Sequence, residues 1–168
     1  MQSEPELLDQ EPPPRAPRWV WVGLAVVLLV GATGWAVDEY RRSREDAALA
    51  GCRSVLRVAD ERASERLIRV SEYLRPSLSS LPPDQARRLA APMSSPARLA
   101  IPGVRAAVSS CHGVSVWSWH EPTHGRRDAT VAFADGLLAR LQRIATDGGS
   151  YLDPDPQLDR LRARADLS

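Results

Sequence analysis

Trp19 to Val37 reads WVWVGLAVVLLVGATGWAV, an uncharged run with no equal elsewhere in the 168 residues of the chain. At about 1.5 Å rise per residue, a helix of this length covers nearly all of the roughly 30 Å hydrocarbon core of a bilayer. Trp19, Trp21 and Trp35, with Tyr40 just beyond, stand near the two ends of the run. Amphipathic rings favour the headgroup level, so these four are the expected interface anchors. A buried core helix would need an apolar partner surface on every side, and the remaining sequence is too polar to supply one. A cleaved secretory signal is the other reading, with Ala32-Thr33-Gly34 offering a small-x-small site. Its n-region would be acidic, with Glu4, Glu6, Asp9 and Glu11 against Arg15 and Arg18, where a signal carries net positive charge. The expectation is a single transmembrane helix over residues 19–37 and a cell-membrane location, with the lipid bilayer as first partner.

Residues 1–18 mix acids with Pro12-Pro13-Pro14 and hold few hydrophobics, so a disordered tail is expected there. The PPPRAP stretch reads as a stiff spacer.

Two arguments about sidedness oppose each other. Arg15 and Arg18 precede the run while Arg41, Arg42, Arg44 and Arg53 follow it, which by the positive-inside rule keeps the C-terminal part in the cytoplasm. That count is blunted by composition, because the chain has no lysine and uses arginine throughout, as a GC-rich bacterial source would. The cysteines argue the other way. There are two, Cys52 and Cys111, both after the span. A disulfide between them would close a loop of about 60 residues and stabilise the fold by about 4 kcal/mol in the chain-entropy model. Such a bond belongs to an oxidising compartment. An extracytoplasmic C-terminal domain is the favoured expectation, with a cytoplasm-facing recruitment domain as the alternative.

Residues 38–168 are expected to form one small domain. Its first segment, 38–75, has no proline and only Gly51 as an interior weak point, so a long juxtamembrane helix is predicted. Leu49, Cys52, Leu56, Ala59, Ala63, Leu67, Val70 and Leu74 recur at spacings of three and four and define its apolar stripe. The opposite face carries i,i+4 pairs such as Arg41 with Glu45, Arg42 with Asp46 and Glu65 with Arg69. A near-heptad stripe beside an anchor also offers a weak homodimer through residues 49–74, although packing on the rest of the chain is preferred.

Pro76 is expected to end that helix. Pro83-Asp84-Gln85 starts a short one, and Met93 to Gly103 reads as a connector. VRAAVSSCHGVSVWSW, residues 104–119, turns to β-branched, serine and tryptophan residues with a turn at Cys111-His112-Gly113, which predicts a two-stranded hairpin. Its tryptophans, Trp117 and Trp119, are expected in the core. From Asp128 a second long helix is predicted, with inward Thr130, Phe133, Ala134, Leu137, Leu141, Ile144 and Ala145 and a close at Gly148-Gly149. Gly136 within it marks a close approach by another backbone. A final helix starts at Pro156 with Asp155 as cap. The fold class is mainly α (α+β): a membrane helix, then two longer helices packed with a hairpin.

His120-Glu121-Pro122-Thr123-His124 matches H-E-x-x-H and superficially resembles the zincin metalloprotease motif. The resemblance covers five residues and implies zinc on His120 and His124 with Glu121 activating a water, which requires a helix. Pro122 opposes helical geometry through its neighbours, so ordinary polar turn residues are expected. A loop-type metal site on His112, His120 and His124 is the alternative, and zinc is the one cofactor considered; otherwise none is expected.

The formal net charge is +1, and aromatics for base stacking are nearly absent beyond the anchor, so nucleic acid is an unlikely partner. No phosphate-cradling glycine loop, flanked Ser-His-Asp set or paired carboxylates occur in a recognisable setting. The functional expectation is therefore a non-enzymatic interaction or sensing domain that binds another protein. A zinc-dependent hydrolase at the HEPTH segment is the rival.

Overall fold

The computed structural model describes residues 17–78 and 80–165; of the disordered tail expected over residues 1–18, residues 1–16 lie outside the described residues and Arg18 already belongs to the first helix. Among the described residues there are five α-helices, α1 (Arg18–Leu78), α2 (Pro83–Leu89), α3 (Ser94–His112), α4 (Glu121–Thr146) and α5 (Pro156–Arg164), with 3-10 turns at Ala91–Met93 and Gly148–Leu152. By internal contacts the chain falls into two units, Met1–Tyr40 and Arg41–Ser168.

In the first unit the helix opens with the Val20 amide donating to Pro17 O at 2.9 Å, and the apolar run is exposed on all sides. It is long and apolar enough to cross a membrane.

In the second unit Leu49, Cys52, Leu56, Ala63, Leu67 and Leu74 are buried, and Ala59 and Val70 are half-buried beside them, so the predicted stripe faces the core. Asp60 is buried in the same row, where its carboxylate pairs with the guanidinium of Arg162 on α5. The helix passes Pro76 and continues to Leu78. A proline so close to the end costs little, because the turn before it, at Glu72 and Tyr73, is exposed to water.

Neither the hairpin over residues 104–119 nor the connector over residues 93–103 is formed. A single helix, α3, covers Ser94–His112, and Val114 to Trp117 are irregular; no strand occurs among the described residues. The reason is visible in the burial. Ala97, Ala100, Val104, Ala107, Val108 and Cys111 are all inward, a spacing of three and four that outweighs the strand preference of the valines. Pro102 sits inside α3 on its exposed side, with Arg98 one turn earlier also exposed. Beside it Arg66 donates to the Leu99 carbonyl at 2.7 Å.

The second long helix also begins earlier than Asp128. It starts at Glu121, with Pro122 in its first turn, so HEPTH is a helix N-terminus and not a polar turn. A proline is tolerated there because first-turn amides have no intrahelical acceptor. Every inward residue predicted for this helix, from Thr130 to Ala145, is buried.

α3 packs on α4, and α4 on α5. Asp155 caps α5 by accepting from the Leu158 amide at 3.1 Å. The close backbone approach is at Gly148, where an added Cβ would stand 2.5 Å from the carbonyl oxygens of Ala90 and Ala91. Gly136 instead meets side chains of α5, Leu158 Cδ1 at 3.1 Å and Leu161 Cδ1 at 3.7 Å from its would-be Cβ. That corrects the backbone approach expected there.

Candidate functional site

Three features of the second unit bear on function. The first joins α1 to α3. Cys52 and Cys111, 59 residues apart in sequence, are at disulfide distance, with Cα atoms 5.0 Å apart and both side chains buried in the core.

The second is a polar clamp between the start of this unit and the α3–α4 loop. His120, at the N-cap of α4, brings Nδ1 to 2.6 Å from Glu45 Oε2, and the other Glu45 oxygen accepts from the Trp117 amide at 3.4 Å. One turn into α4, Thr123 Oγ1 donates to Asp46 Oδ1 at 2.8 Å. The Arg41 guanidinium lies over the Trp117 ring, 3.9 Å from its centroid. Trp119 meets Trp117 edge-on at 4.2 Å between centroids. Trp117 is half-buried, and Trp119 is 61% exposed rather than in the core. Sequence reading missed this clamp, since Glu45 and Asp46 were assigned to arginines on their own helix.

The third is a shallow groove of about 420 Å³ between α1 and α3. Val55, Val58 and Leu99 are exposed in it, and Arg62 and Arg66 flank them. A smaller cavity of about 190 Å³ lies among α1, α4 and α5, with Leu67, Leu137 and Leu158 in its wall beside Asp60 and Arg162.

The three histidines do not share a centre. His112 Nε2 is 3.0 Å from Asp135 Oδ1, His120 faces Glu45, and His124 Nδ1 is 3.3 Å from Asp128 Oδ2. Among the described residues no group of three or more histidine, cysteine, aspartate or glutamate side chains is gathered as a metal site would require. Trp19, Trp21, Trp35 and Tyr40 are all exposed on the first unit.

These features define a helical protein with one helix long and apolar enough to span a membrane and one cysteine pair at disulfide distance. No family model, curated protein or solved structure matches the chain.

Proposed function

We propose that this is a single-pass membrane-anchored protein whose helical domain, Arg41 onward, lies outside the cytoplasm and binds another protein through the α1–α3 groove. The observation that carries the reading is the Cys52–Cys111 pair. Two cysteines brought to bonding distance from positions 59 residues apart, in a chain with no others, favour an oxidising compartment. The run of residues 19–37, exposed to its surroundings on every side, favours insertion in lipid over burial in protein.

The groove supplies the contact. Isolated exposed apolar residues are ordinary, but Val55, Val58 and Leu99 adjoin one another in a concave surface edged by two arginines. That combination suits a partner segment with apolar side chains followed by carboxylates. The polar groups elsewhere pair with one another: Glu45 with His120, Asp60 with Arg162, and Asp135 with His112. Such an arrangement favours a scaffold over a reaction centre.

Photo-crosslinking residues placed at Val58 and Leu99 of the full chain test the binding in cells, with exposed Gln142 on α4 as control. Discrete protein adducts at the two groove positions and none at Gln142 are expected. The same adducts at all three, or none at the groove, would refute it.

A further inference from the structure

We propose that the α3–α4 loop docks on phospholipid headgroups, through Trp119 and the Arg41–Trp117 pair, in the leaflet where the apolar run ends. This rests on the membrane-anchored reading above. Trp119 is a large apolar ring with one N–H donor, and it stands 61% exposed, while the domain buries Phe133, Leu56 and Met93 almost completely. Water is a costly surrounding for such a ring; the headgroup zone, where an indole can bury its face and keep its N–H hydrated, is a favourable one.

The loop is held in place before any lipid arrives. Glu45 accepts from the Trp117 amide and faces the His120 ring, and Asp46 accepts from Thr123. Little entropy is lost when so fixed a loop meets a surface. Chain connectivity limits how far it can lie from the apolar run. Arg41, the cation on Trp117, comes four residues after Val37, so covalent reach keeps it within about 14 Å of the end of the apolar run. A headgroup layer is about 5–8 Å deep on each side of the core, so this tether allows Arg41 and the rings beside it to enter that layer.

The test uses the full chain with W19F, W21F and W35F, so that emission comes from Trp117 and Trp119. It is reconstituted in phosphatidylcholine–phosphatidylglycerol vesicles, with and without a nitroxide on the headgroup. Docking predicts loss of emission in the nitroxide vesicles, less acrylamide quenching than in detergent, and loss of most of the nitroxide effect when W119F is added. Emission indifferent to the nitroxide and open to acrylamide overturns the proposal, as it would if the loop awaits a protein partner instead. A companion chain carrying W117F and W119F reports on Trp19, Trp21 and Trp35. Quenching there without quenching of Trp119 removes the docking alone; no quenching in either removes the anchored reading as well.

Discussion

His120 and Glu45 face one another across 75 residues of sequence, Nδ1 to Oε2 at 2.6 Å, with side chains only 2% and 11% exposed. They fix the start of α4 to α1 and hold the loop between α3 and α4 against the same carboxylate. A carboxylate so enclosed depends on its partner, because a buried charge left alone carries its whole desolvation cost.

Replacing His120 by alanine is therefore expected to destabilise the domain by about 1–3 kcal/mol, the usual cost of removing one partner from an enclosed polar group, since Glu45 keeps the Trp117 amide. Replacing Glu45 by alanine as well recovers part of that loss. Chemical denaturation of the single and double variants, as a double-mutant cycle, measures the coupling. Additive losses would mean that the two side chains do not act on each other.

The glycines separate in opposite directions. Gly51 lies on an exposed helix face with nothing within 4 Å of a would-be Cβ, so G51A should stabilise by up to about 1 kcal/mol. At Gly148 the added Cβ would press on the backbone carbonyls of Ala90 and Ala91, so G148A should lower the melting temperature. G136A falls between them, since helix propensity gains what crowding of the Leu158 side chain gives back. Thermal melts of the three variants check the order.

Closing the 59-residue separation between Cys52 and Cys111 constrains the unfolded chain, so C52S/C111S should cost about 4 kcal/mol in the entropy model. Either single serine variant should cost nearly as much as the double. Wild-type protein unfolded with and without reductant provides the matching comparison.

The long elements were legible because their inward residues repeat cleanly: Leu49 to Leu74 on α1 and Thr130 to Ala145 on α4 each present one apolar face. The nearness of Cys52 and Cys111 was an open expectation from their number and their shared place after the span, and they lie at disulfide distance. α3 was misread because Val104 and Val108 carry strand preference, while Pro96 and Pro102 suggest interruption. The helical repeat starting at Ala97 becomes visible only when both prolines are allowed within a helix, one near its start and one on its exposed side. The same error hid the start of α4, where Pro122 occupies a position that costs no hydrogen bond. The clamp could not be read at all. Glu45 meets His120, and Asp46 meets Thr123, only because α4 begins at Glu121 and turns its first residues toward α1.

The most direct test of an anchored, extracytoplasmic domain is thiol accounting on the full chain carrying Y73C, Tyr73 being 85% exposed on α1. Intact cells are treated with a membrane-impermeant maleimide mass tag, then denatured and tagged again with and without reductant. The account predicts one tag on Y73C in intact cells, with both native cysteines reacting only after denaturation and reduction together. No tag before lysis, and native cysteines that react on denaturation without reductant, would place the domain in the cytoplasm and contradict it.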